Sequence, residues 1–374
     1  MPIKLQLIYL SHDLSKNKSM PLRHKDSKFH KKISSCFFVT SRLCGKSCSA
    51  LRILFFLTLC FTGNVFSQDS LSFFSPAKEL NKKRVTEVIG LQAVGYGGSL
   101  IGLSAAWYSG YSHTSFHSFD DSKEWLQMDK AGHFLTSWYL GRIGSDIYEW
   151  TGMKKKKAVL LGALSGWGYL TGIEMLDGFS DGWGFSWSDF SANTLGSGLI
   201  IGQKFLRDHY SPLAQGVKGL SLKFSFHQTD YPSFRPALLG KNLNEQILKD
   251  YNGQTYWLSM NIASFFRSSS SYTTFRDGRE KSHLSFPRWL NLAFGYGGEG
   301  MISGKDELVT LANGNQVWME RYRQYYLSLD IDLTRIKTKS KFLHALAETF
   351  CFIKIPAPAI EFSKHGVKGY AFYY

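Results

Sequence analysis

Leu220-Ser-Leu-Lys-Phe-Ser-Phe-His227 alternates strictly, with Leu220, Leu222, Phe224 and Phe226 on one side and Ser221, Lys223, Ser225 and His227 on the other. A period of two is the mark of a β-strand with one apolar and one polar face. The stretch also divides the chain: residues 217–374 repeat this pattern, and residues 85–210 do not.

Downstream, Leu258, Met260 and Ile262 interleave with Ser259, Asn261 and Ala263. Leu290, Leu292, Phe294 and Tyr296 face away from Asn291, Ala293 and Gly295. Leu327, Leu329, Ile331 and Leu333 face away from Ser328, Asp330 and Asp332. Weaker strands fall near Pro358–Phe362 and Gly369–Tyr374, giving about six in all. The links carry no crossover-helix pattern, so the pairing is expected to be antiparallel. Such strands have two homes, a soluble sheet with one wet face or an outer-membrane barrel. The alternating aromatics at Tyr370, Phe372 and Tyr374 fit a barrel, but single-chain bacterial barrels have eight strands or more. On either reading a charge at Leu329 should be tolerated far worse than one at Asp330.

Upstream, Val88–Tyr108 is free of charge and long enough to cross a bilayer, yet its many glycines leave it only weakly hydrophobic. Gly98-x-x-x-Gly102 would let a second helix approach closely. Lys130–Trp150, Lys157–Leu176 and Asp189–Leu206 are likewise of helix length and rich in small residues. The expected fold is α+β: a small-residue-rich bundle of about four helices, followed by an antiparallel sheet or partial β-barrel.

Ahead of the helices, the apolar run Leu51–Phe61 lies behind Arg42, Lys46 and Arg52 and is followed by Val65-Phe66-Ser67. This is the layout of a secretory signal peptide cleaved after Ser67. Leu59 before Cys60 disfavours a lipidated cysteine, because that position calls for a small residue. The expected divisions are a leader and signal at 1–67, a helical domain at 68–212 and a β-rich domain at 213–374. Four of the five cysteines precede residue 61, so the exported chain would keep Cys351 alone and form no internal disulfide. The net charge of +15 is also a property of the leader: residues 1–52 hold eleven basic and two acidic side chains. With the excess there, the sequence gives no nucleic-acid footprint.

The polar residues able to do chemistry sit in the helical half. Asp129 and His133 are four apart on one helix face, with Lys130 between them. Glu174 and Asp177 are three apart on the next helix, and Asp189 and Asn193 four apart on the one after. One histidine and several carboxylates converging near helix ends would suit a divalent cation or general acid–base work. His133, Asp129 and Glu174 are the candidate acid–base residues, Asp177 and Asp189 the candidate metal ligands, and Lys130 and Asn193 complete the pattern. Plainer readings stand beside these. Ser186-x-x-Asp189 is a capping box, and Asp129 could cap its own helix. Glu174 is harder to explain away, since a buried carboxylate needs a partner. His133 or Lys130 should supply it.

At these residues the chain resembles the YfiM-type predicted periplasmic lipoproteins, the family of unknown function numbered 2279. The resemblance rests on Asp129-Lys130-x-x-His133-Phe134, Gly172-Ile173-Glu174 and Ser188-Asp189-x-x-x-Asn193-x-x-Gly196, within residues 125–205. The order of these pieces is similar to that of VanZ-like membrane proteins, although the arginine usual between the Glu and the Asp is replaced by the Asp177–Trp187 loop. The resemblance implies an envelope location, in the periplasm or at the outer membrane, and supplies no activity and no cofactor.

Two functions fit. One is a structural or binding component of the envelope, with membrane or lipid as partner. The other is a metal-dependent or acid–base hydrolase or transferase acting on an envelope lipid or glycan. Gly162-Ala-Leu-Ser165-Gly166 lacks the spacing of a serine nucleophile elbow, and Gly95-Tyr-Gly97-Gly98 lacks the strand and Lys-Ser/Thr of a phosphate loop.

Overall fold

The computed structural model describes residues 75–104, 112–206, 216–217, 219–266 and 287–373. The leader, the proposed cleavage after Ser67, Cys60 and Tyr374 lie outside the described residues.

Four long helices come first: α1 (Lys82–Leu103), α2 (Met128–Trp150), α3 (Lys155–Gly178) and α4 (Trp187–Phe205). Their small residues have a steric purpose. A Cβ on Gly162 of α3 would lie 2.1 Å from the Ser145 backbone nitrogen of α2. One on Gly196 of α4 would lie 2.3 Å from the Phe134 carbonyl oxygen. Side chains there would push the backbones apart, so glycine sets the close approach of α2 to both neighbours. Leu135, Trp138, Ala163 and Ile200 form the apolar core of this trio. α1 attaches differently, through Val88 packed with Tyr148 and Ala158, a Tyr96–Tyr169 stack and the Arg84 guanidinium over Trp150. The Gly98-x-x-x-Gly102 seam is not used by any described residue, because Cβ atoms at both glycines would meet nothing within 4 Å. Among the described residues α3 is the one helix long and apolar enough to cross a membrane, by length and composition.

Two short strands, β1 (Ser118–Phe119) and β2 (Phe185–Ser186), pair in parallel and pin the loop before α2 to the start of α4. The main sheet then follows as β3 (Leu220–Phe226), β4 (Gln254–Asn261), β5 (Leu290–Glu299), β8 (Tyr322–Ile331), β9 (Ala357–Ser363) and β10 (Gly366–Tyr373). The strands run antiparallel in the order β10-β9-β8-β5-β4-β3. A hairpin, β6 (Leu308–Thr310) and β7 (Gln316–Trp318), is inserted between β5 and β8. Shorter helices α5 (Pro236–Leu239), α6 (Leu243–Lys249) and α7 (Ile262–Phe266) flank β4, and α8 (Lys341–Thr349) precedes β9. β8 ends at Ile331, so Leu333 lies in a 3₁₀ turn and not in the apolar row the alternation assigns it to.

The sheet is strongly curled. β4 and β10 are four steps apart in the order, about 19 Å in a flat sheet at ~4.8 Å per step. Yet the Thr255 hydroxyl of β4 lies 3.1 Å from that of Tyr373 in β10. Lys223 of β3 likewise reaches Asp330 of β8 at 2.7 Å. β3 and β10 do not pair with each other, and the β3 edge is bridged at Phe224 by Phe352–Lys354, just before β9, so the described strands form an incomplete barrel. Its concave side holds the polar half of the alternation. Lys223, Ser225, Thr255, Ser259, Asn291 and Asp330 are buried, while Phe294 and Leu329 are exposed. The alternation assigns side chains to faces correctly, but the expected wet face of a soluble sheet is the inner one. Curling explains the reversal: it closes the concave side around Trp257, Tyr326 and Tyr373.

Candidate functional site

α2 opens with a strained turn. Trp125, Leu126 and Gln127 have φ of 47°, 51° and 63°, a left-handed run that costs non-glycine residues on the order of 1–3 kcal/mol each. Bonds to the sheet region hold it: the Trp125 N–H donates to the Gly304 carbonyl, the Tyr296 hydroxyl to the Leu126 carbonyl, and Arg323 to the Gln127 amide oxygen. The turn aims the first residues of α2 inward.

Lys130 is then the hub. Its ammonium lies 2.6 Å from Asp121, 2.7 Å from Asp129 and 3.1 Å from Asp189. Asp121 comes from the loop after β1, where Ser186 and Ser188 each donate to its Oδ1 at 2.7 Å. One helical turn along, His133 sits between two acids, with Nδ1 3.6 Å from Glu174 and Nε2 3.9 Å from Asp189. Nδ1 also lies 3.2 Å from Asn193 Oδ1. Glu174 is almost fully enclosed, with 2% of its side chain exposed against 25% for His133. Ser137 ties α2 to α4, donating to the Asn193 carbonyl at 2.6 Å.

Burial sets the proton affinities. Glu174 is pushed up to about 9, chiefly by desolvation and then by the charges of Asp189 and Asp177. Desolvation lifts Asp129 to about 7, against the attraction of Lys130. Asp189 is raised by burial too, with His133 and Lys130 opposing. Asp121 is the exception: burial works upward, but hydrogen bonds from Lys130, Ser188 and Ser186 outweigh it and bring the carboxyl to about 2. Lys130 is raised despite burial, because the charges of Asp129 and Asp189 hold its proton. Burial thus favours protons on Glu174 and Asp129, while Lys130 and Asp121 hold their charges.

The structure thus gathers Asp129, Lys130, His133, Glu174, Asp189 and Asn193, the residues that the sequence pattern singles out. His133 and Glu174 meet as expected. Ser186 does cap α4, accepting from the Asp189 N–H at 3.0 Å, so Asp189 both closes a capping motif and joins the cluster. Asp177 is half buried one turn beyond Glu174 and acts on it through charge. Two sets of ligand atoms lie within 4.8 Å of one another: His133, Glu174 and Asp189, and Asp121, Asp129 and Asp189. The second set surrounds the Lys130 ammonium, which already occupies the place a cation would take. Asp177 belongs to neither set. Arg142 and Asp146 do not pair with each other, as their spacing suggests; Arg142 binds Glu348 and Asp146 binds Lys204.

Sequence reading missed Asp121 and the tyrosines Tyr251 and Tyr256, whose hydroxyls burial raises, with Asp129 adding to the effect. Tyr256 comes from β4, and its hydroxyl would lie 2.8 Å from a Cβ on Gly132, so the sheet floors the cluster. No periodicity connects these residues to α2; only the fold does.

Residues 117–202 match the family described as predicted periplasmic lipoprotein (DUF2279). The DUF2279 segment begins before Asp121 and ends in α4, so it contains every charged member of the cluster. It leaves α1 and the main sheet outside. The description agrees with the exported, envelope location expected from the sequence. No curated protein and no solved structure matches the chain.

Proposed function

We propose that this envelope protein is a structural component whose DUF2279 segment is a helical module locked by its own buried charges. One observation carries the reading: a single ammonium, Lys130, is held within 2.6–3.1 Å of carboxylates from the β1 loop, α2 and α4. The cluster's central cation is intramolecular, and the remaining excess of acid is met by protons on Glu174 and in part on Asp129. Breaking such a network strands a buried charge, which is what makes it a lock.

A second reading has its own support. His133 is the most exposed member of the cluster, and its ring lies between Glu174 and Asp189 in a set of three possible ligands. That set could hold a divalent cation, or His133 Nε2 could serve as a base for an envelope lipid or glycan.

Glu174→Gln separates the two, because it keeps shape and removes the titrating carboxyl. Under the structural reading the variant folds, retains the envelope phenotype of the native gene, and binds no less Zn²⁺ than the native protein. Loss of phenotype and of Zn²⁺ binding in a folded variant would favour the second reading and overturn the first.

A further inference from the structure

The sheet's alternation is inverted with respect to water, and its outer apolar face is only half covered. Leu222 of β3 is buried against Leu135, Trp138, Ala163 and Ile200, with Phe224 and Tyr256 packed alongside. The helical module thus roofs the outer side of β3 and part of β4. The Trp125–Gln127 turn covers the Tyr296 end of β5 and the Arg323 end of β8, and beyond it the same face continues uncovered over the rest of β5 and β8 and over β9 and β10. Cross-strand partners form unbroken rows: Leu258, Phe294, Leu327 and Ile360 in one, and Tyr296, Tyr325, Phe362 and Val367 in the next. Phe294 is 46% exposed, Leu329 46% and Val367 68%. Polar side chains of the same strands lie on the concave side, paired among themselves, as in Lys223–Asp330 and Ser259–Asp330. Contiguous apolar surface of this extent is not left to water in a stable protein.

We infer that this open half-face docks against the acyl chains of an envelope bilayer. Apolar-out and polar-in is the patterning of strands that face lipid. Among the described residues β10 keeps a free edge, and the β3 edge is bridged by Phe352–Lys354 only at Phe224; unpaired strand edges are not tolerated inside hydrocarbon. The face therefore rests on the membrane with its edges at headgroup level, and does not cross it. α8 adds an independent observation. Its Leu343 and Leu346 are exposed on an amphipathic helix, and exposed Lys337 and Lys339 lead into it. An apolar helix face flanked by lysines is the composition of an interfacial helix on anionic lipid. A lipid surface answers both features, the uncharged rows and the basic flank. The inference is independent of the locking role assigned to the Lys130 cluster, whose charged members lie on the β1 loop, α2, α3 and α4 and not on the open strands.

The test maps lipid contact residue by residue, since a lipid anchor on the leader would by itself bring the chain to vesicles. The full chain is bound to vesicles of phosphatidylethanolamine and phosphatidylglycerol carrying a phosphatidylcholine with a photoreactive acyl chain. After illumination, adducts are located by peptide mass spectrometry. The expected adducts fall on Phe294, Leu329, Ile360, Phe362 and Val367, and none on Thr255, Ser259 or Asp330. Leu329→Lys, a surface change compatible with folding, should lower the adduct yield at Ile360 about fivefold to tenfold. Adducts confined to residues before 75 would show a tether without docking and overturn the inference. So would a stable dimer that shields Phe294 and Val367 from adducts, because the occupant would then be a second copy. An unchanged yield at Ile360 in Leu329→Lys would also count against it.

Discussion

The molecule contains two buried charge clusters that are close to mirror images. In the helical module four carboxylates, Asp121, Asp129, Glu174 and Asp189, gather around one lysine and one histidine. Inside the curled sheet two lysines gather around one carboxylate: Lys223 lies 2.7 Å and Lys354 4.0 Å from Asp330. The sheet cluster is sealed, with 3% or less of each side chain exposed, and backbone carbonyls share its load. Lys223 donates to Ile331 at 2.8 Å and Lys354 to Leu329 at 2.7 Å. Burial lowers Lys354 to about 8, with Asp330 resisting. The helical cluster reaches solvent at His133 and adjusts its charge by taking up protons. Excess base in the sheet is met by backbone carbonyls and by the lowered proton affinity of Lys354, and excess acid in the helices by protonation. The helical cluster therefore titrates through the neutral range, and the sheet cluster only from about pH 8 upward.

This contrast orders the expected effects of mutation. Asp330→Asn should be the most damaging change, because two buried ammoniums lose their common counter-charge; about 3–5 kcal/mol of stability should disappear in urea unfolding. A loss under 1 kcal/mol would mean that the sheet interior is wetter than it is drawn. Lys130→Met should cost less, about 2 kcal/mol, since burial already raises the proton affinities of Asp129 and Asp189 and each can neutralise by taking up a proton. Its cost should also shrink toward acid pH, where those protons are supplied. Leu329→Lys, on the exposed face, should change the stability of the isolated chain by no more than about 0.5 kcal/mol. Comparing it with Asp330→Lys reverses the tolerance that alternation alone suggests, and equal damage at both sites would refute the assignment of the inner face.

Most of the secondary structure is legible in the sequence because period is a local property. The period of two locates the six main strands, and the length and small-residue content of the apolar stretches locate α1–α4, with ends out by as much as about six residues, as at Lys82 for an expected Val88. They do not say which side of a strand is buried, and that is why Asp330 reads as wet and Leu329 as enclosed. The decision belongs to the curl of the sheet, which depends on contacts such as Thr255–Tyr373 between distant strands. The β6–β7 hairpin was available in principle, since Asn313-Gly314 is a turn signal and Gly314 has φ of 82°. The three-residue strands around it are too short to show a period. For the cluster, polar residues on otherwise apolar helices were enough to find Glu174 and His133, because burial obliges them to pair. Asp121 and Tyr256 reach it from a loop and a strand with no spacing relation to α2, so only the tertiary fold could reveal them.

The central claim is that the helical cluster is an internal lock that balances its own charge with protons. Glu174 and Asp129 have folded-state values raised to about 9 and about 7, above their ordinary values of 4.5 and 3.8. For a carboxyl raised on folding, the folded chain holds more protons than the unfolded one between the two values. Its contribution to stability is then complete below the lower value and is lost as pH rises to the upper one. Asp121, lowered to about 2 from 3.8, acts oppositely and withdraws support only as pH falls through that range. The deciding measurement is the thermal midpoint from pH 4.5 to pH 9, for the native protein and for Glu174→Gln, each with and without a chelator. The account predicts a native midpoint that falls from pH 4.5 to about pH 8, below the range in which Lys354 gives up its proton, a flatter profile for Glu174→Gln, and no response to chelator. A pH-independent native midpoint, or one that drops when the chelator is added, would contradict it.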